Sequence, residues 1–278
     1  MARGKPNSAY VRTVEARRMT VQRPNSWKFL KRAAKKLLLP SPVAARHSEH
    51  SMLFSMDGAP SAHNDRIFDL SLQAIALARR QDLSSIKARL RGRFPFPDEL
   101  VELWPGEHYK LLAAFVQALK PRLIIEVGTA EGMSALALKT NLPSNGKVIT
   151  FDLIHWKNYP NSCLGPEDFI DGRLEQMVAD LGDEAIVARH RTVLERADLI
   201  FIDAAKDGFL EQRLIHNFGT LTYSSPPIVI FDDIRLWNML NVWYELRWPK
   251  LDLTSFGHWS GTGVCQLLGE GLGVASSA

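Results

Sequence analysis

Four short apolar runs in the middle of the chain constrain its fold more than any other feature of the sequence. They cover residues 123–127, 148–151, 199–202 and 228–231, and nearly every position in them is apolar. Runs of this length without alternation are typical of strands covered on both faces in a parallel sheet. Helical patterns separate them. The alternation predicts a doubly wound α/β fold with helices on both faces of the sheet.

Helical periodicity also precedes the first of these strands. It begins near Arg66, and two further helices are predicted over residues 82–91 and 107–119. Because no strand-like run lies among them, the sheet is expected to follow an N-terminal helical extension.

The basic charge of the chain is concentrated before that extension. Residues 1–50 hold 12 of the 34 Lys and Arg residues but only 2 of the 30 Asp and Glu residues, so the rest of the chain is acidic. The folded part is therefore not expected to bind nucleic acid. We predict a basic, disordered extension over residues 1–62 and one folded domain over residues 63–278. Residues 27–39 carry apolar and basic residues at helical spacing, which predicts either weak contact with an anionic membrane surface or a tail without a specific role.

Cysteine usage and hydropathy give the expected compartment. Cys163 and Cys265 lie too far apart to indicate a disulfide framework. No run approaches the roughly 20 apolar residues needed to span a bilayer, and no signal-peptide pattern opens the chain. A cytoplasmic location is expected.

The first strand runs into a glycine-containing turn and then a helix. Gly128 would let the backbone approach a ligand closely, and Gly132 would let the chain turn into the helix. The spacing Gly-x-x-x-Gly does not match the dinucleotide pattern Gly-x-Gly-x-x-Gly, which counts against an NAD-dependent oxidoreductase. The second strand ends in Asp152, which is placed either to bind ribose hydroxyls or simply to form a turn.

The third and fourth runs also end in acidic residues. They lead into Asp203 and into the pair Asp232 and Asp233, and strand ends of a parallel sheet meet at one edge. Carboxylates gathered there repel one another unless a cation joins them, and oxygen ligands suit Mg²⁺, Mn²⁺ or Ca²⁺. Capping of the following helices is the alternative role for these residues.

Together these motifs resemble one enzyme family. The stretch from Glu126 to Ser134 reads Glu-Val-Gly-Thr-Ala-Glu-Gly-Met-Ser, and Asp198 to Asp207 reads Asp-Leu-Ile-Phe-Ile-Asp-Ala-Ala-Lys-Asp. With the Asp232 and Asp233 pair, they resemble the cation-dependent O-methyltransferases that act on catechols and caffeoyl-coenzyme A. The resemblance covers roughly residues 105–270.

The resemblance implies a mostly parallel, seven-stranded Rossmann-like sheet and methyl transfer from S-adenosylmethionine to a hydroxyl of a small molecule. A divalent cation, Mg²⁺ by default, would be held by Asp203, Asp232 and Asp233. Lys206 would be the catalytic residue, with a pKa lowered by the cation so that it could take the hydroxyl proton. Homodimer formation stays open. The implied cofactor-binding residues are Glu126, Gly128, Gly132, Ser134 and Asp152.

Two positions depart from the family pattern, and one segment is poorly matched. Met133 stands where an aromatic residue is usual, and Ala205 replaces a common Asp. In the poorly matched segment 153–197 we predict a strand over residues 186–189. That strand would leave too few residues for a full crossover helix, so either the third strand lies elsewhere or the crossover is short.

Three rival interpretations remain open from the sequence. One is a methyltransferase that needs no metal and positions its acceptor with His or Lys, although His155, His190 and His258 are lone histidines of the kind that is more often structural. The second is the NAD-dependent enzyme. The third is a non-catalytic, membrane-associated protein with a degenerate cofactor fold.

Overall fold

The computed structural model describes residues 62–90, 107–269 and 271. The predicted basic extension therefore lies outside the described residues except for Ala62, and so does the amphipathic segment 27–39. None of the described helices is both long enough and apolar enough to cross a membrane.

Within the described residues, three helices precede the sheet, as the sequence predicts. The second and third begin within two residues of their predicted starts, and a side-chain oxygen of Asp82 accepts a hydrogen bond from the Ser84 N–H at 2.9 Å ahead of the second. Such an acceptor stabilises the first helical turn. The three helices are α1 (Ala62–Ala78), α2 (Ser84–Leu90) and α3 (His108–Leu119).

The rest of the described chain alternates strands and helices. The strands are β1 (Leu123–Val127), β2 (Lys147–Asp152), β3 (Leu174–Val178), β4 (Leu199–Ile202), β5 (Ile228–Asp232), β6 (Lys250–Asp252) and β7 (Thr262–Gln266). The helices between them are α4 (Met133–Thr140), α5 (Glu184–Leu194), α6 (Phe209–Gly219) and α7 (Met239–Glu245).

The strands form one seven-stranded sheet in the order β3-β2-β1-β4-β5-β7-β6. The first five are parallel, and β7 runs antiparallel to both of its neighbours, β5 and β6. This confirms the predicted mostly parallel, seven-stranded, Rossmann-like sheet. Since β1 lies between β2 and β4, the strand order reverses beside β1, where open α/β sheets bind ligands.

The sheet is covered on both faces. Side chains such as Ile124 and Val148 pack with α1 to α4, whereas their neighbours Ile125 and Ile149 pack with α5 to α7. Successive residues of a strand point to opposite faces, so both must be apolar when helices cover both. The double covering therefore explains why the central strands read as continuous apolar runs.

The predicted strand over residues 186–189 is wrong, because these residues lie within α5. Asp183 precedes that helix and accepts a hydrogen bond from the Ala185 N–H at 2.8 Å, while Val187 and Leu194 are buried at helical spacing. The third strand lies earlier, at Leu174–Val178, and is partly exposed because it forms an edge of the sheet. The crossover from β3 to β4 therefore has a full helix.

Among the connections between the parallel strands, the one from β2 to β3 contains no α-helix. It contains only two short 3₁₀ turns, Trp156–Asn158 and Pro166–Asp168. Cys163 and Leu164 between them are buried against the α4 side of the core. This segment thus covers the sheet as an irregular chain.

Candidate active site

A cavity of about 640 Å³ opens at the carboxyl ends of β1, β2 and β4. Its wall includes Gly128 and Asp152 from the predicted cofactor residues, and Asp203 and Lys206 from the predicted chemical residues. The volume lies in the range of roughly 300–1,000 Å³ that is usual for small-molecule sites. Other wall residues, which the sequence did not single out, include Glu131, Ile154, Tyr159, Asp180 and Arg213.

The glycine turn lies directly against the end of β4. Gly128 has a φ of 99°, and a Cβ atom there would come within 1.8 Å of the carbonyl oxygen of Asp203. Only glycine fits such an approach. Gly132 precedes α4 with a φ of 87°, and a Cβ atom there would collide with Leu164. Gly132 therefore serves the turn into the helix, and the cavity wall does not include it.

Asp152 is fixed between the glycine turn and the chain beyond β2. Its Oδ2 accepts a hydrogen bond from the Ala130 N–H at 3.0 Å, and its Oδ1 accepts one from the Ile154 N–H at 2.9 Å. A carboxylate oxygen can accept more than one hydrogen bond. Asp152 can therefore hold the turn and still accept hydrogen bonds from a ligand in the cavity.

Glu126 and Ser134 are buried and do not form part of the cavity wall. Neither carboxylate oxygen of Glu126 has a hydrogen-bond partner of ordinary geometry. Burial raises the pKa of Glu126 to about 8, although the nearby hydroxyls of Ser134 and Thr150 oppose the shift. A buried carboxylate without donors is costly, so a proton or a donor from a bound group would stabilise it.

Lys206 forms ion pairs with two of the predicted metal-binding carboxylates. Its Nζ contacts Asp203 Oδ1 and lies 3.1 Å from Asp233 Oδ2. Burial alone would lower the pKa of Lys206, but the two carboxylates raise it above its ordinary value. Burial and the charge of Asp232 raise the pKa of Asp203 to about 7. In this charge arrangement, the two carboxylates therefore stabilise the ammonium form of Lys206.

His258 lies on the other side of Asp233. Its Nδ1 is 3.1 Å from Asp233 Oδ1 and 3.4 Å from Asp232 Oδ1. Burial alone would lower the pKa of His258, but the two carboxylates raise it to about 10. Ligand atoms of Asp232, Asp233 and His258 all lie within 4.8 Å of one another, close enough for one cation to join them. Asp203 is not part of that group.

The backbone is strained at two of these residues. Lys206 has a φ of 59° and Asp233 a φ of 58°, values that residues other than glycine seldom adopt. The buried carboxylate of Glu211 holds the first, because its two oxygens accept hydrogen bonds from the N–H groups of Lys206 and Gly208 at 2.7 and 2.9 Å. Strained backbone of this kind collects at functional sites.

His108 also reaches this cluster, from the start of α3. Its ring is buried, and its Nδ1 lies 3.7 Å from Asp232 Oδ1. The sequence assigned α3 only an apolar face, and no local pattern connects its first residue with strand ends more than 90 positions away. His258 lies in the turn before β7, where the sequence predicts only a lone histidine. A contact between elements so distant along the chain cannot be predicted from a local pattern in a single sequence.

Comparison with solved structures finds similar chains, each below 20% sequence identity and with a TM-score below 0.5. No protein-family model matches the sequence. The chain is similar to a methyltransferase from Geobacter sulfurreducens, at 19% identity over 66% of this chain and 98% of that one, with a TM-score of 0.44. It is similar to an O-methyltransferase from Bacillus cereus in complex with SAH. The identity is 18% over 81% of this chain and 97% of that one, with a TM-score of 0.44. It is also similar to the O-methyltransferase TomG from Streptomyces achromogenes in complex with SAM. That match has 18% identity over 76% of this chain and 100% of TomG, with a TM-score of 0.48.

Proposed function

We propose that the protein transfers a methyl group from S-adenosylmethionine to a hydroxyl of a small molecule, of the catechol, phenolic or sugar class. One observation carries the proposal. Gly128 and Asp152, assigned to the cofactor, share a single cavity with Asp203 and Lys206, assigned to the chemistry. Direct transfer between two bound molecules requires them to be held close and aligned, and one cavity can provide that.

The cofactor half of the cavity suits a nucleoside. Asp152 is fixed by two backbone N–H groups and can accept hydrogen bonds from ribose hydroxyls. Gly128 allows the chain to lie close to a ligand. S-adenosylmethionine, when bound, supplies the methyl group on its sulfonium.

The acidic edge would hold a divalent cation beside the acceptor. Asp232 fits this role because its Oδ1 is buried and has no hydrogen-bond partner of ordinary geometry. Asp233 places an oxygen beside it. Asp203 can contribute only if Lys206 releases its carboxylate. A divalent cation, when bound, lowers the pKa of a hydroxyl that reaches it.

Lys206 can accept the hydroxyl proton only when its own ammonium group is less strongly stabilised. Asp203 and Asp233 now raise its pKa, so neutralising their charge with another cation would lower it again. Glu211 keeps the Lys206 backbone in place throughout, since it contacts the main chain and leaves the ammonium group free to move.

A methyltransferase that needs no metal is the second candidate, and a specific observation favours it. Lys206 and His258 already place two positive groups among the three carboxylates. In that arrangement Asp203, whose pKa is raised to about 7, would accept the hydroxyl proton near neutral pH.

Cofactor binding is tested by calorimetry on an Asp152→Asn variant. The loss of charge at this acceptor should weaken S-adenosylmethionine binding by about 10-fold to 100-fold, because hydrogen bonds to charged groups contribute about 1.5–3 kcal/mol. Asp171→Asn is the matched control, since Asp171 is exposed and pairs with Lys139 away from the cavity. Equal affinities for the two variants, or preferential binding of NAD⁺, would contradict the proposal.

The two methyltransferase candidates are separated by a chelator. The purified protein is incubated with S-adenosylmethionine and a panel of catechols, phenols and sugars, and formation of S-adenosylhomocysteine is measured. Loss of activity in EDTA that is restored by divalent cations supports the metal-dependent candidate. Activity that is unchanged in EDTA supports the second one.

A further inference from the structure

We propose that His108 and His258 complete a mixed imidazole and carboxylate site with Asp232 and Asp233, and that this site selects a transition-metal ion over Mg²⁺. The inference rests on the proposed function, because it places the cation at the same edge of the sheet. It changes both the expected ligands and the expected metal.

The carboxylate of Asp233 separates two groups of charged side chains. Its Oδ2 faces Lys206, which also pairs with Asp203, whereas its Oδ1 faces His258. The Oδ1 atom of Asp232 lies on the histidine side, 3.4 Å from the His258 ring nitrogen. The histidine side is therefore where donor atoms converge, and Lys206 does not compete with a cation there.

The buried ring of His108 provides an independent observation. It is 7% exposed, and its Nδ1 and the neighbouring Asp232 Oδ1 are both buried without a hydrogen-bond partner of ordinary geometry. Their separation of 3.7 Å is too long for a hydrogen bond. Two unpartnered polar atoms facing each other in the interior are costly, and a cation between them would satisfy both.

The spacing of the donor atoms fits a single metal ion. Ligands that bind a metal at about 2.0–2.2 Å in tetrahedral or octahedral geometry lie roughly 3–3.5 Å from one another. The distances from the His258 Nδ1 to the two aspartate oxygens, 3.1 and 3.4 Å, fall in that interval. The ring centroids of His108 and His258 are 5.1 Å apart. Donor atoms of Asp232, Asp233 and His258 already lie within 4.8 Å of one another, and His108 would join them if its ring moved closer when a metal binds.

The His258 ring is held in position from its own turn. The backbone N–H of His258 donates to the Thr262 Oγ1 at 2.7 Å. The Ser260 hydroxyl lies 2.7 Å from the His258 Nδ1 and also contacts Asp233, so it would turn toward the carboxylate when Nδ1 binds a cation. Thr262 begins β7, which pairs directly with β5 at Asp232. The imidazole is thus fixed relative to the carboxylate through the sheet itself.

The donor types decide the metal. Imidazole nitrogen favours Zn²⁺, Co²⁺, Fe²⁺ and Ni²⁺, whereas Mg²⁺ prefers oxygen ligands and keeps several waters. With two imidazoles beside two carboxylates, the site should bind Co²⁺ and Zn²⁺ more tightly than Mg²⁺.

The test is a Co²⁺ titration of the full chain, followed by its visible absorption, with Mg²⁺ as competitor. His258→Gln and His108→Gln should each weaken Co²⁺ binding by at least about tenfold, the lower end of what losing even an outer-shell partner costs. His216→Gln is the matched control, because His216 is an exposed histidine on α6, and its affinity should equal that of the wild type.

Pulsed electron paramagnetic resonance of the Mn²⁺-loaded wild type tests the same point without a variant. Nitrogen modulation from coordinated imidazole is expected. The inference would be overturned if this nitrogen modulation were absent or if Mg²⁺ bound as tightly as Co²⁺. It would also be overturned if the folded histidine variants kept full Co²⁺ affinity. S-adenosylmethionine calorimetry is run in parallel. Cofactor binding without metal binding would overturn this inference alone, and loss of both would overturn the proposed function as well.

Discussion

At the scale of single residues, the charge of the site depends on how each carboxylate is partnered. Asp203 has Lys206 beside it, Asp233 lies between a lysine and a histidine, and one oxygen of Asp232 has no hydrogen-bond partner of ordinary geometry. Three acids at neighbouring strand ends thus have three different surroundings. Burial raises the pKa of Asp203, whereas at Asp233 burial is outweighed by hydrogen bonds from His258 and Ser260, which lower the pKa, as distinct acid and base roles require.

The close contact at Gly128 predicts that this glycine cannot be replaced. Gly128→Ala should cost more than about 3 kcal/mol in the free energy of unfolding, because the new Cβ would meet the backbone of Asp203. Gly172→Ala is the matched control: its φ is also positive, but no atom lies within 4 Å of the new Cβ. It should cost only about 1–2 kcal/mol from backbone strain. Urea unfolding measures the free energy of unfolding of both variants. Equal losses would show that the contact between residue 128 and the Asp203 backbone adds nothing to the cost of backbone strain.

Burial of Glu126 predicts a dependence of stability on pH. Its pKa is about 8 in the folded protein against an ordinary 4.5, so the folded state holds the proton more tightly. The stabilisation is full below the unfolded pKa and is lost as the pH rises through 8. Between the ordinary pKa of 4.5 and the folded pKa of about 8, the free energy of unfolding of the wild type should fall by about 1.4 kcal/mol per pH unit relative to that of Glu126→Gln. Urea unfolding curves that stay parallel across this pH interval would refute the prediction.

Which site residues could be predicted from the sequence follows from how they are placed. Asp152, Asp203 and Asp232 each lie at or next to the end of a predicted strand, so the strand pattern brought them to one edge. Reaching His108 would have required the packing of α3 against the sheet, which a single sequence does not encode locally. The direction of the Lys206 pKa likewise depends on which carboxylates its side chain reaches.

At the scale of elements, the carboxyl end of α7 contacts the ammonium group of Lys250, a buried residue of β6. Lys250 is 3% exposed, and its Nζ donates hydrogen bonds to the carbonyl oxygens of Trp243, Tyr244 and Leu246. The last carbonyls of a helix lack partners within the helix, and a cation there also interacts favourably with the helix dipole. One side chain thus joins the end of α7 to an edge strand.

Replacing that lysine should detach the two elements. Lys250→Met should cost about 3 kcal/mol or more in the free energy of unfolding, because buried carbonyls would lose their donor. Lys147→Met removes a lysine from a half-exposed pair with Glu175 and should cost less than about 1 kcal/mol. Chemical denaturation of both variants is the measurement. Similar costs would mean that water replaces the ammonium group of Lys250.

The strands that were predicted and those that were not differ in their surroundings. β1, β2, β4 and β5 lie inside the sheet and read as apolar runs, so their bounds were predicted to within one residue. β3 and β6 are edge strands, and β6 has three residues. β7 is fully buried, yet its sequence Thr-Gly-Val-Cys-Gln is not an apolar run. A strand is therefore predictable from an apolar run when helices cover both of its faces. An edge strand, or a buried strand that contains polar residues, lacks such a run.

At the scale of the whole molecule, the buried core of the described residues begins at Ile67. A shortened chain beginning at Ser61 should therefore keep its fold and its affinity for S-adenosylmethionine. Circular dichroism and calorimetry test this against the full chain. Unfolding of the shortened chain would show that the basic extension belongs to the core. Equal binding of both chains to anionic vesicles would rule out a membrane role for residues 27–39.

The irregular connection between β2 and β3 makes one wall of the cavity exchangeable. Leu153, Ile154 and Tyr159 come from this segment and line the cavity, yet no strand register depends on them. Loops tolerate insertion and substitution better than the elements that they join. A designer could therefore vary this segment around Leu153, Ile154 and Tyr159 to reshape the cavity, while Cys163 and Leu164 keep the sheet covered and the acids at the strand ends stay in place.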